Sequence, residues 1–516
     1  MANRFTDALF HLVHSLEKAE KRHFKLYIKR SSGKEDLKVV QLYDALDKMQ
    51  EYDEEVLLKK ISDNSKTKLA NLKTHLYNEL LAALRLLKTT DNVDLQLSEH
   101  LDHARILYNK GLKQQALRII EKAKEQARAN QKFNTLVQLI SLEKKIEILH
   151  ITRSSTDKTQ LMAEEALQVS SHIDRVTKLS NLALLLYRWY VIHGHSRDEE
   201  DEKDIKEYFK HNLPKDIDRL NGFYEELYFY QSYCWYAFIR QDFLMYYRYA
   251  QKWVNLYNDN PYLKNVETGH YIKGMQALLN SHFDLRNHKA HEEVLKVFEA
   301  YEATPEARKN DNFRIHTSIY INTARINGHL MNGTFREGLQ LVSEIEEKLN
   351  EYSLFVDPHR ILVFNYKIAL LYFGSGNYDK AIDYVHRIIN GPMDLRIDLQ
   401  CYARLVHLLS HYELGNYEIL DSLSKSVQRF MEKMKNFTKA EVALLKFLKN
   451  SFDEKNPDKI KKTLNKLLDE IKHLENNRHE TRAFAYLDLI SWVESKVKGK
   501  TMEEIVYGKY LKSKRK

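Results

Sequence analysis

The sequence predicts an all-α protein: an α-solenoid of antiparallel helix pairs that follows a small N-terminal helical module. Three observations predict it. The 516 residues include only 15 glycines and 6 prolines. Average usage, roughly 7% and 5%, would supply several times more. Neither a β-sandwich, which turns every few residues, nor a doubly wound α/β fold, which needs glycine-rich loops, can be built from that supply. Apolar residues recur at i, i+3, i+4 and i+7 through most of the chain, clearly so from Ile361 to Phe373, and Lys and Glu fill the other faces. Strict alternation, the strand signal, is nowhere sustained. Finally, the chain is too long for one ordinary core, which rarely grows past about 250–300 residues. A core that extends in one dimension resolves the conflict.

The composition narrows the class further. Charged residues make up 30% and hydrophobic ones 43%, a globular balance rather than a disordered one. The net charge of +9, from 81 basic and 72 acidic residues, permits an acidic partner without demanding one. The two cysteines, Cys234 and Cys401, each sit in an apolar helical run, so they offer neither a disulfide framework nor a zinc pattern. They read as buried thiols of a reducing compartment. The N-terminus, MANRFTDALFHLVHSLEKAEKR, lacks the unbroken apolar core and cleavage site of a secretory signal. No stretch approaches the ~18 apolar residues of a membrane span. A cytoplasmic location is therefore expected.

Residues 1–90 form the N-terminal module, a cap or a helix-turn-helix-like unit of several helices with breaks around Ser31 to Gly33 and Asp63 to Ser65. Residues 91–500 form the array. Its prolines, Pro214, Pro261, Pro305, Pro358, Pro392 and Pro457, fall 47, 44, 53, 34 and 65 residues apart. Most of those gaps suit one helix pair, because proline ends a helix or sits in its first turn. Pairs are expected near 134–170, 175–212, 230–257, 263–303 and 437–475, with a closing helix near 478–497. The run RDEEDEKD, Arg197 to Asp204, is a solvated loop or helix start. Residues 501–516, ending in KYLKSKRK, are expected to be a basic, frayed tail.

One segment carries a specific pattern. NYKIALLYFGSGNYDKAIDYVHRII places Ala369, Tyr372, Gly376, Tyr378 and Ala381 at fixed positions. The small alanines let two helices approach, and the tyrosines fill the space between them. Gly376 can take the left-handed conformation that stops the first helix, and Asn377 can cap the second. This resembles the tetratricopeptide (TPR) repeat. A second match, LDHARILYNKGLKQQALRIIEKAKEQA, supplies Ala104, Tyr108, Gly111, Ala116 and Ala123, but Leu112 offers no cap. Weaker matches centre on Gly333, Phe335 and Gly338 and on Gly415 and Tyr417. Gly333, Gly376 and Gly415 are 43 and 39 residues apart. The standard repeat is about 34 residues, so longer helices or looser connections are expected.

The resemblance implies a partner-binding face formed by the first helix of each pair, where that family holds extended peptides or partner helices. In this register the face holds Arg105, Tyr108, Phe229, Trp235, Phe238, Asn327, Tyr366, Phe373 and Tyr412. The run FYEELYFYQSYCWYAFIRQDFLMYYRYAQKWVNLY is dense in aromatics. It suits either a core between long helices or a wall of binding anchors.

No phosphate-cradling GxGxxG or GxxxxGK[ST], no GxSxG and no HExxH is present, so no catalytic residue and no cofactor are assigned. His407 and His411 share a helix face at i, i+4, but the sequence shows no third ligand, and His193 with His195 and His288 with His291 are equally incomplete. No metal site is assigned. In the N-terminal module, LLKKISDNSKTKLANLKTHLYNELLAAL suits a helix, a turn and a second helix, with Lys59, Lys60, Lys66, Lys68 and Lys73 near the turn. That arrangement is helix-turn-helix-like. Several bacterial regulators resemble this plan in joining such a domain to a peptide-sensing TPR array. The expected function is a non-catalytic scaffold or adaptor that holds a protein or peptide segment. The alternative is a TPR-containing transcriptional regulator that contacts DNA through those lysines.

Overall fold

A computed structural model describes residues 8–29, 34–61, 65–90, 92–149, 156–215, 217, 220, 222–352, 355–391, 396–434, 437–451, 456–475, 477 and 480–514. Every regular element among them is helical, apart from isolated turns. No described helix is long and apolar enough to cross a membrane. Packing divides the chain into two compact units, Met1–Ser170 and Ser171–Lys516.

The first unit opens with α1 (Ala8–Ser15), α2 (Lys18–Ile28), α3 (Lys34–Lys48), α4 (Glu54–Ile61) and α5 (Lys66–Lys88). These share a core of their own, including Val13, Phe24, Leu42, Tyr43, Leu46, Leu57, Leu76 and Leu80. Ser65 caps α5 by accepting from the Lys68 N–H. The expected breaks at Ser31 to Gly33 and at Asp63 and Asn64 lie outside the described residues. Next come α6 (Val93–Asn109), α7 (Lys113–Ala129) and α8 (Phe133–Ile148). Ala104 and Ala116 are fully buried, as close helix approach requires, and Leu112 leaves α7 without a side-chain cap.

One helix, α9 (Thr156–His193), runs through the unit boundary. It corrects the expectation of separate pairs at 134–170 and 175–212. The stretch contains neither glycine nor proline, so nothing in it stops a helix.

The second unit continues with α10 (Glu199–Asn212), α11 (Phe223–Ile239), α12 (Phe243–Asp259), α13 (Leu263–Val266), α14 (Thr268–Asp284), α15 (His288–Glu302), α16 (Asp311–Asn332), α17 (Phe335–Leu339) and α18 (Val342–Glu351). It ends with α19 (Pro358–Ser375), α20 (Tyr378–Ile389), α21 (Ile397–Glu413), α22 (Tyr417–Lys433), α23 (Lys439–Ser451), α24 (Pro457–Leu474), α25 (Thr481–Tyr486), α26 (Leu489–Lys498) and α27 (Met502–Ser513). The acidic run resolves as a helix start: Asp198 caps α10 and accepts from the Asp201 N–H. One continuous core links α11 to α27.

Eight connections among the described residues share one joint. The residue after the joint donates its N–H to the carbonyl five residues back: Leu112 to Leu107, Lys132 to Ala127, Asp242 to Ala237, Asn287 to His282, Thr334 to His329, Asn377 to Tyr372, Asn416 to His411 and Lys500 to Ser495. This is the Schellman closure, which needs a left-handed residue just past the helix. Glycine holds that place at 111, 333, 376, 415 and 499, but Gln131 (φ 59°), Gln241 (φ 56°) and Arg286 (φ 53°) hold it elsewhere.

The C-terminal segment differs from the expected frayed tail. Thr501 and Glu504 cap α27 reciprocally, and Ile505, Val506 and Tyr510 are buried. The helix packs so closely on the joint after α16 that a Cβ on Gly333 would lie 2.5 Å from the Tyr507 nitrogen. Its basic residues drew attention away from the apolar stripe of IVYGKY.

Candidate functional site

The chemistry of the second unit concentrates along its first helices. Aromatic residues of α9 and α11 form one end. The Tyr187 and Trp235 rings stack at 4.6 Å, and Tyr190 lies 5.7 Å from Trp235 and 5.1 Å from Phe238. His195 closes this group from behind, its Nδ1 2.8 Å from the Phe238 carbonyl, which fixes the ring as an Nδ1–H donor. Tyr187 stays 38% exposed, so the stacked pair presents an aromatic surface to solvent.

Polar residues continue the row on α16 and α19. Arg360 donates to the Tyr320 hydroxyl at 2.7 Å, with its guanidinium 4.6 Å from the ring centroid. One turn-pair further along, Lys367 donates to Asn327 at 2.6 Å and lies over the Phe283 ring. Burial pushes the Lys367 ammonium down to about 8, against an upward pull from Asp284. Burial likewise pushes the Asp284 carboxyl up to about 7, against Lys367 and Arg286. Asp284 keeps one buried oxygen with no hydrogen-bond partner among the described residues.

At the far end Arg396, held at φ 55° just before α21, makes a bidentate pair with Asp398 at 2.8 and 2.5 Å. Asp398 also accepts from the Tyr486 hydroxyl, whose ring stacks on Tyr402 at 4.4 Å. The Arg396 guanidinium also lies 5.6 Å from the centre of the Tyr190 ring. Tyr190 of α9 and the residue that precedes α21 thus meet. His359 beside this pair is driven down to about 4 by burial, with Arg396 and Arg360 adding to the shift.

The sequence-predicted face divides in the folded chain. Trp235 and Phe238 lie in the aromatic end, half-buried. Phe229 turns instead toward Tyr233 and Tyr249, at 4.7 and 6.2 Å. Asn327, Tyr366 and Phe373 are 1%, 4% and 1% exposed and so offer a partner almost no surface. Asn327 serves by orienting Lys367, and Tyr366 donates to the Tyr486 carbonyl at 3.0 Å. Tyr412 packs among Tyr417, Phe447 and Trp492. Arg105 and Tyr108 belong to the first unit, where Arg105 is exposed beside Asp102 and Tyr108 lies under the Lys145 ammonium. The sequence reading missed Tyr187, Tyr190, Arg360, Lys367 and Arg396. The i, i+7 spacing of Arg360 and Lys367 on an otherwise apolar helix was the available signal.

In the N-terminal module, Lys59, Lys60, Lys66 and Lys68 are exposed around the start of α5. Lys73 is committed elsewhere: it bonds the Tyr52 hydroxyl and lies 3.7 Å from Glu54.

No family model matches the chain, and no curated protein matches it. Among solved structures, the crystal structure of the apo form of RapI is similar at 12% identity, covering 81% of this chain and 98% of that one, with a TM-score of 0.38. A likeness that loose defines neither fold nor function.

Proposed function

We propose that the chain is a non-catalytic scaffold, TPR-like in its hairpins, that holds a protein segment along the row of first helices in residues 171–516. The observation that carries this reading is the partly exposed Tyr187–Trp235 stack, whose Tyr187 lies near the Tyr320 hydroxyl that accepts from Arg360. Rigid aromatic rings with a polar rim are what a binding wall needs, because they bury large area at little entropic cost. The N-terminal module is then a cap, and the protein is cytoplasmic. The test uses the intact chain with a photo-crosslinking residue at Tyr187. A specific protein should be captured and then lost when Trp235→Ala or Arg360→Ala is added. Capture that persists unchanged in both variants contradicts the reading.

A second reading has one observation of its own. Four lysines are exposed on either side of the α4–α5 connection, Lys59 and Lys60 in the last turn of α4 and Lys66 and Lys68 in the first turn of α5. A module that contacts DNA there would show affinity that falls steeply with salt. Changing the four lysines to glutamine should then abolish the gel shift of the full chain. Salt-independent or absent DNA binding removes this alternative.

A further inference from the structure

The helical-repeat reading leaves one cluster unused. His407 and His411 lie one turn apart on α21, and the structure brings His386 of α20 to the same place. The His407 Nε2 is 3.0 Å from the His386 Nε2 and 3.1 Å from the His411 Nε2. His386 is exposed and the other two are half-buried, so solvent reaches all three. A tetrahedral zinc ion with Zn–N bonds of about 2.0–2.1 Å sets its nitrogens roughly 3.3 Å apart. Two of the three edges of such a triangle are thus nearly in place.

The cluster is a chain through His407 and not a ready cage: no three described His, Cys, Asp or Glu side chains already stand at metal-binding geometry. Proton bookkeeping explains the resting form. In the tautomer that carries the His407 proton on Nδ1, its single Nε2 lone pair is shared by the Nε2–H groups of His386 and His411. On metal binding His386 and His411 each carry their ring proton on Nδ1 instead of Nε2, so that three Nε2 lone pairs face one divalent centre. The Asn416 amide, 3.0 Å from the His411 Nδ1, can support the change. With its oxygen turned to the ring it accepts Nδ1–H and leaves Nε2 free to ligate, the usual outer-shell arrangement for a metal-bound histidine.

We propose that His386, His407 and His411 bind a borderline divalent transition-metal ion of the zinc, cobalt or nickel class, closed by rotation of the exposed His386 side chain. Imidazole nitrogens suit that class and not magnesium or calcium. Water fills the remaining position. Burial and the neighbouring His386 hold the His411 imidazole below its ordinary range, with Asp379 pulling the other way. Burial holds His407 down to about 4, with His411, His386 and Arg404 adding to it. A bound ion ties α20 to α21 and so locks one hairpin to the next.

The experiment titrates the untagged, chelator-treated full chain with zinc chloride by calorimetry and with cobalt chloride by absorption. The expected result is one equivalent per chain, with visible bands of a nitrogen-ligated cobalt ion. His386→Ala, at an exposed position that leaves the core intact, and His411→Gln should each weaken binding at least about tenfold. His193→Ala, outside the cluster, should leave it unchanged. No stoichiometric uptake, or uptake of equal affinity in His386→Ala, overturns the proposal.

Discussion

The hairpin of α19 and α20 and the hairpin of α11 and α12 have the same backbone joint and very different sequences. In the first, Gly376 takes φ 86° and Asn377 caps the next helix by accepting from Lys380. In the second, Gln241 takes φ 56° and Asp242 caps by accepting from Met245. Both close with the same bond to a carbonyl five residues back. Tertiary packing fixes this joint, so a residue that prefers right-handed geometry can be held there at a cost of about 1–2 kcal/mol. Gln241 recovers part of that cost by donating its amide to the Ser196 carbonyl at 3.1 Å.

The largest expected effect separates joints that are merely left-handed from one that is also packed shut. Gly376 has open space where a Cβ would go, whereas Gly333 faces the backbone of α27. Gly376→Ala should cost about 1–2 kcal/mol, from backbone strain alone. Gly333→Ala should cost about 3–5 kcal/mol and expose α27 to protease, since strain and overlap add. Urea unfolding and limited proteolysis check both, and equal costs would remove the packing argument.

The next effect is pH dependence, carried by one buried histidine in each of two hairpins. His291, behind the Arg286 joint, is held down to about 4 by burial, with His282, His288 and Lys367 adding to it. His359, which opens the Gly376 hairpin, is also held near 4. The unfolded chain takes up these protons near pH ~6.5. Between about 6.5 and 4 it binds protons that the folded chain excludes. Stability is therefore complete above that window, falls as pH drops through it, and levels off below. For His291 the loss is on the order of 2–3 kcal/mol. Thermal melts across that range should show a shallower slope in His291→Gln.

Smaller again are the caps. Asp242→Ala and Asn377→Ala should each cost about 1 kcal/mol by denaturant unfolding. Similar values would show that the two hairpins depend on capping alike, despite their different joints.

Much of this architecture is legible in the sequence. Low glycine and proline with helical periodicity give the all-helical class, and the glycine joints give the α6–α7, α19–α20 and α21–α22 pairs. The rest is hidden for identifiable reasons. The Gln131, Gln241 and Arg286 joints carry no glycine to mark them. The unit boundary falls inside an uninterrupted α9. The second helix after Gly333 splits into α17 and α18, although its sequence looks continuous. Of the candidate wall, Trp235 and Phe238 follow from aromatic density. Their partners Tyr187 and Tyr190 lie on a helix whose adjacency only the packed structure reveals.

The central claim is that one left-handed joint closes the hairpins whatever residue occupies it. Gln131, half-buried between α7 and α8 at φ 59°, tests it most directly. Relief of the strain is worth about 1–2 kcal/mol, less the roughly 0.5–1 kcal/mol by which glycine favours the unfolded chain. Gln131→Gly should therefore raise the unfolding free energy of the intact chain by about 0.5–1 kcal/mol. A fall of that size would mean that the joint is not left-handed there and would contradict the account.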